Sequence, residues 1–129
     1  MSSYDFDSLA ILAYRRGDYS QALALSEQAI TLACEFGDGR HITYVLGQMG
    51  IIALSQGKPE RAARLISAAG SLAESVGIVF DPEDRTEHDQ AITTIKAQLG
   101  EVAFGALQAE GRAMTMEQAI EFALRESDD

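Results

Sequence analysis

The sequence predicts an all-α fold: antiparallel helix pairs stacked as a short solenoid of about seven helices. Three observations predict it. Apolar residues recur at steps of three and four along most of the chain, which paints a stripe on one face of a helix. Glycines sit where those periodic segments stop, as expected of residues that take left-handed conformations after a helix. And residues 13–37 repeat as 53–77 at an offset of 40. Ala13 aligns with Ala53, Gly17 with Gly57, Ala22 with Ala62, Leu25 with Leu65, Ala29 with Ala69 and Gly37 with Gly77. A helix pair recurring at such a period is a solenoid signature, because one pair cannot bury its apolar stripe without a neighbour.

The first helix, about 4–15, shows Tyr4, Phe6, Leu9, Ile11, Leu12 and Tyr14 nearly all round, relieved by Asp5, Asp7 and the Arg15-Arg16 pair. The second, 19–36, follows Asp18, whose carboxylate can cap free N–H groups. Its stripe is Ala22, Leu25, Ala29, Leu32, Ala33 and Phe36. The third, 41–55, contains Gly47 and Gly50, read as close-packing positions. The fourth, 59–76, starts at Pro59, whose missing N–H costs nothing at the first helical position. Its stripe is Ala62, Leu65, Ile66, Ala69, Leu72, Ala73 and Val76. The fifth, 82–99, opens with Asp81-Pro82-Glu83-Asp84, a cap, a proline and acids at the positive end of a helix dipole. The sixth, 101–110, stops at Gly111. The seventh, 115–125, has Thr115 and Gln118 in capping-box spacing. Its Glu117, Gln118, Glu121 and Arg125 suit it to cap the C-terminal end of the stack. Residues 126–129 read as a frayed acidic tail. Short connections make sequential helices antiparallel neighbours.

Composition narrows function. In 129 residues there are 20 acidic and 10 basic side chains, a formal net charge of −10. Phosphate neutralisation supplies most nucleic-acid affinity, so binding of DNA or RNA by this chain is not expected. Cys34 is the single cysteine, which excludes an intrachain disulfide and makes a reducing compartment the default. No apolar run approaches the roughly 20 residues that span a bilayer, and "MSSYDFDS" is unlike a signal peptide. A cytoplasmic protein with no membrane contact is expected.

The repeated words resemble the tetratricopeptide repeat. Gly17-Asp18-Tyr19 with Ala22 and Ala29, and Gly57 with Ala62 and Ala69, match its turn and small crossing residues, with Lys58-Pro59 in place of Asp-Tyr. The period is longer than the usual ~34 residues. The family's tryptophan is absent, with Phe6 and Leu46 in its place. Residues 48–125 are similar to the C-terminal tetratricopeptide region of large bacterial LuxR-type and other ATPase-linked transcription regulators. The words "QGKPERAARLISAAGSLAESVG" and "FDPEDRTEHDQAITTIKAQLGEVAFGALQAEGRAMTMEQAIEFAL" carry that likeness. It implies a right-handed solenoid forming one domain over 1–129: repeat 1 at about 4–36, repeat 2 at about 41–76, and a degenerate third unit with a C-terminal cap at about 82–125. It also implies sensing or scaffolding without catalysis, in an excised segment or a stand-alone relative.

Candidate chemistry is thin. "GIIALSQGK" (50–58) fails as a phosphate loop: six residues separate Gly50 from Gly57, and Pro59 replaces the magnesium-binding Ser/Thr. Glu83, Asp84, Glu87, His88 and Asp89 alternate around a helix start and read as solvated acids rather than a metal site. His41 lacks a placed partner for acid–base work. Cys34 reads as a semi-buried structural thiol. A DNA-reading helix–turn–helix over 43–73 is disfavoured by its long apolar second helix. No cofactor is expected.

In stacks of the resembled kind, the first helix of each pair lines the concave face. That places Tyr4, Ser8, Ile11, Tyr14 and Arg15 on one rung, and Tyr44, Gln48, Ile51 and Leu54 on the next. Steps of seven keep each rung on one helical face. Such a groove suits a protein or peptide partner, unless the third unit folds over it. The function expected is a non-enzymatic interaction or scaffold module in signalling. The alternative is a small-molecule or peptide sensor within a transcription regulator. The apolar first helix suggests a homodimer.

Overall fold

The structure is a computed structural model that describes residues 1–125. The tail at 126–129 lies outside the described residues. Among those described, the chain is all-α with seven helices: α1 (Ser3–Arg15), α2 (Tyr19–Glu35), α3 (Gly39–Ser55), α4 (Pro59–Val76), α5 (Pro82–Leu99), α6 (Glu101–Arg112) and α7 (Met116–Leu124).

One turn is used four times. Asp18, Asp38, Lys58 and Ile78 each donate their backbone N–H to the carbonyl five residues earlier, at Ala13, Ala33, Ala53 and Ala73, all at 2.9 Å. The residue before each donor is Gly17, Gly37, Gly57 or Gly77, with φ between 65° and 80°. This is the Schellman closure, and only glycine adopts that left-handed conformation without steric cost. The turn therefore recurs every 20 residues, and the repeat of 40 is two such units. Starts are closed as well. Asp18 and Asp38 accept from the N–H of Gln21 and His41 at 3.2 and 3.1 Å. Ser2 with Asp5, and Thr115 with Gln118, form reciprocal capping boxes. Asp81 is different: it precedes Pro82 but makes no capping hydrogen bond.

Packing follows the small residues. Ala22 and Ala62 are fully buried. At Gly50 an added Cβ would stand 2.6 Å from Ile66 Cγ1 and 3.2 Å from Leu65 Cβ, so α3 and α4 meet closely there. Gly50 thus lies inside a helix at a crossing. The main core joins α2, α3, α4 and α7 through Ile30, Leu46, Met49, Leu65 and Ala119. A second cluster joins α3 and α4 to α5 and α6 through Ile66, Ile95, Phe104 and Leu107.

Several sequence expectations are corrected. Phe36 and Val76, assigned to apolar stripes, are exposed; both fall at helix ends, where the stripe has run past the neighbouring helix. Gly111 does not end α6. It lies inside the helix, buried, against the Arg64 carbonyl and Ser67 Cβ of α4. Arg64–Glu110 at 2.6 Å and Arg112–Glu74 at 2.7 Å flank that contact. The seventh helix does not cap the last unit. It turns back onto α3, α4 and α2, because Ala119 and Ala123 complete the core between those helices.

Candidate functional site

A cleft opens between α1, α3, α5 and the link before α5. Its position follows from the repeat. α1 and α3 stand at equivalent places in the sequence repeat, but of the lining positions only Ile11 and Ile51 correspond at the offset of 40. α1 contributes Ala10, Ile11, Tyr14 and Arg15; α3 contributes Tyr44, Gly47, Gln48, Ile51 and Ile52. Phe80, Glu83, Asp84, Glu87 and His88 form the third wall. The volume is about 170 Å³.

The expected groove residues divide. Ile11, Tyr14, Arg15, Tyr44, Gln48 and Ile51 line the cleft. Tyr4, Ser8 and Leu54 do not. The Tyr4 hydroxyl donates to Asp38 Oδ2 at 2.8 Å, and its ring stacks on His41 at 4.0 Å, which ties α1 to the start of α3. Ser8 is exposed beyond the cleft. Leu54 packs against the cluster shared by α4, α5 and α6. The Tyr14 hydroxyl meets Ser55 Oγ at 3.2 Å.

The reading of the α5 start is corrected in part. Sequence reading treats Glu83, Asp84, Glu87, His88 and Asp89 as a solvated helix start; Glu83, Glu87 and Asp89 are exposed, while Glu83, Asp84, Glu87 and His88 all line the cleft. Asp84 and His88 are part-buried, and the His88 ring stacks on Phe80 with centroids 6.1 Å apart. Asp7 also departs from expectation. Read as polar relief on α1, it is only 6 % exposed, and its Oδ1 has no hydrogen-bond partner in the protein. Helical spacing carried the signal: Asp7 stands three and seven residues before Ala10 and Tyr14, on the same face. The Gln48 carbonyl, at the cleft wall, is likewise buried without a partner.

The electrostatics are one-sided. Burial, then the Asp84 charge, pushes the Asp7 carboxyl up to about 6. Burial, then Asp84 and Asp7, pushes Tyr44 up to about 12. Asp84 is raised by burial and by Asp81 and Glu83. His88 is lowered, mainly by burial. Arg15 is the one basic side chain of the lining.

Elsewhere, burial pushes the half-buried Cys34 thiol up from its ordinary value. Among the described residues, no group of three or more His, Cys, Asp and Glu side chains is placed to hold a metal ion, and no helix is long and apolar enough to cross a membrane. Compared with protein-family models, curated proteins and solved structures, the chain matches none.

Proposed function

We propose that this chain is a non-enzymatic helical-repeat interaction module of the tetratricopeptide kind, which docks a segment of a partner protein in the α1/α3/α5 cleft. The observation that carries the reading is the cleft itself. Equivalent helices of the two repeats line it with the apolar Ile11 and Ile51 and with Tyr14 and Tyr44, whose rings combine apolar area with a hydroxyl. The 20-residue turn and the buried Ala22 and Ala62 support the repeat assignment. A role as a signalling or regulatory segment in the cytoplasm fits the lone Cys34 and the resemblance to regulator tails. The net charge of −10 and the acidic cleft wall argue against a nucleic-acid partner.

The second reading is a sensor of a small ligand, favoured by the unpartnered Gln48 carbonyl in the cleft wall. Size argues against it. Pockets for drug-sized ligands run to roughly 300–1,000 Å³, whereas about 170 Å³ here suits one or two side chains of a peptide.

Panning a random dodecapeptide phage library against the full chain tests the reading. Peptides should be enriched that bind the wild type and lose at least tenfold affinity to Ile51→Glu, with the helical signal of the variant retained. Failure to enrich any such peptide would refute docking in the cleft. A melting-temperature gain with free metabolites would favour the sensor.

A further inference from the structure

Four residues of α1 share one side of the helix. Asp5, Leu9, Leu12 and Arg16 follow at steps of four, three and four, which stacks them along a single face. All four are exposed, Leu9 by 39 % and Leu12 by 52 %. Arg16 closes the helix in an αR conformation and so keeps the helical register. The stripe avoids the cleft, whose α1 wall is Ala10, Ile11, Tyr14 and Arg15.

The chain itself shows what this face meets when it is covered. At the offset of 40, Leu9 and Leu12 correspond to Met49 and Ile52 of α3, which are 1 % and 3 % exposed. Met49 packs in the cluster that holds Ala29, Ile30 and Ala33 of α2, and Ile52 in the one that holds Ala22. The flanks differ between the two helices. Asp5 stands where α3 has the buried Val45. An apolar helix laid on α1 as α2 lies on α3 would therefore press a carboxylate against hydrocarbon, which is costly. The occupant has to offer apolar area in the middle and a cation opposite Asp5.

We propose that the occupant is a second copy of this chain, the two α1 helices packing antiparallel about a two-fold axis that passes between Leu9 and Leu12. Asp5 stands four residues before Leu9, and Arg16 four after Leu12. The axis thus sets Leu9 against the partner's Leu12 and Asp5 against the partner's Arg16, and each contact occurs twice. Parallel helices would bring like charges together, so the order acid, leucine, leucine, base complements itself in one direction only. Arg16 makes no ion pair among the described residues. Both side-chain bonds that Asp5 accepts from Ser2 end on Oδ2, which leaves Oδ1 for the guanidinium. The leucines supply the apolar area. Exposed ion pairs add little affinity and instead fix direction and register. The cleft stays open in such a dimer, so the proposal stands independently of docking there.

A charge-swap experiment on the full chain tests the geometry by sedimentation velocity across a micromolar concentration series, with circular dichroism to check that each variant stays helical. The wild type should dimerise. Asp5→Lys places lysine against the partner's Arg16, and Arg16→Glu places glutamate against the partner's Asp5, so each variant should weaken self-association at least tenfold. Mixed in equal amounts, the two variants should dimerise again, because a pair holding one of each restores both opposite-charge contacts. Arg85→Glu on α5 changes the net charge as much as Arg16→Glu does and should leave the dimer intact. A monomeric wild type overturns the proposal and leaves docking in the cleft standing. A wild-type dimer that tolerates both single variants, or a mixture that stays monomeric, overturns this face and this direction. Should Asp5→Lys unfold through loss of the Ser2 capping box, Arg16→Glu against Arg85→Glu decides, and equal effects of those two overturn the proposal.

Discussion

The Arg61 guanidinium of α4 lies 4.8 Å above the Phe122 ring of α7 and donates to the Phe122 carbonyl at 3.0 Å. The same terminal nitrogen reaches the Ala123 and Arg125 carbonyls at 2.9 and 3.0 Å. These are carbonyls at the C-terminal end of α7, where the i→i+4 ladder runs out and the negative end of the dipole lies; Phe122 also accepts from the Arg125 N–H at 3.3 Å. A buried arginine thus fastens a nine-residue helix that is too short to be stable alone.

Arg61→Met should therefore release α7. Hydrogen bonds from a charged donor contribute about 1.5–3 kcal/mol, so a loss of about 2–4 kcal/mol is expected in urea denaturation. Amide exchange should accelerate first at Ala119–Leu124. Uniform acceleration across all seven helices would show that α7 is not the element Arg61 holds.

Gly111 and Gly105 lie in the same helix and should respond oppositely to alanine. At Gly111 a Cβ meets the Arg64 carbonyl and Ser67 Cβ, and backbone cannot step aside cheaply. Gly111→Ala should cost about 1–3 kcal/mol through overpacking, which outweighs its gain in helix propensity. At Gly105 a Cβ meets nothing within 4 Å. Gly105→Ala should stabilise by about 0.5–1 kcal/mol. Equal melting shifts for the two would mean α6 does not cross α4 at Gly111.

Ala62 is fully buried in the α4 crossing. Ala62→Leu should destabilise by about 1–3 kcal/mol, read as a lower urea midpoint. A neutral midpoint would show the crossing has room to spare.

Asp7 makes stability depend on pH. Its folded value of about 6 exceeds the ordinary 3.8, so between these values the folded state binds more protons than the unfolded. Its contribution is fully present below about pH 4 and is lost as pH rises through 6. Two units correspond to about 3 kcal/mol at most. Asp7→Asn should melt higher than wild type at pH 7.5, and the difference should shrink at pH 4.5. Equal melting at pH 7.5 would mean the carboxylate is solvated.

Leu9 and Leu12 are exposed on α1, and Tyr4 beside them is 56 % exposed. A second copy can cover such an exposed apolar face. Light scattering at micromolar concentration should report about twice 13.9 kDa, and Leu12→Glu should return the chain mass. A monomeric wild type would show that the face stays open.

By itself the sequence determined the helices and their ends. Stripes at three and four, Asp18, Pro59, the Thr115 box and the glycines at 17, 37, 57 and 77 act within one or two turns of chain, so their meaning is local. For the same reason the sequence showed that Ile11, Tyr14, Tyr44, Gln48 and Ile51 share helical faces. Tertiary structure alone decided which faces meet. Gly111 reads as a stop in sequence and is a crossing in space, because the atom that forbids its Cβ belongs to α4. The 115–125 helix reads as an end cap and instead fills the core beside α2 and α3, where Ala119 and Ala123 gain more burial. Asp7 and Asp84 read as solvated acids, yet the fold buries Asp7 and part-buries Asp84, which raises both carboxyls above their ordinary values. Propensity and capping are properties of a few neighbouring residues, whereas desolvation and close contact depend on atoms many residues away that only the folded chain brings together.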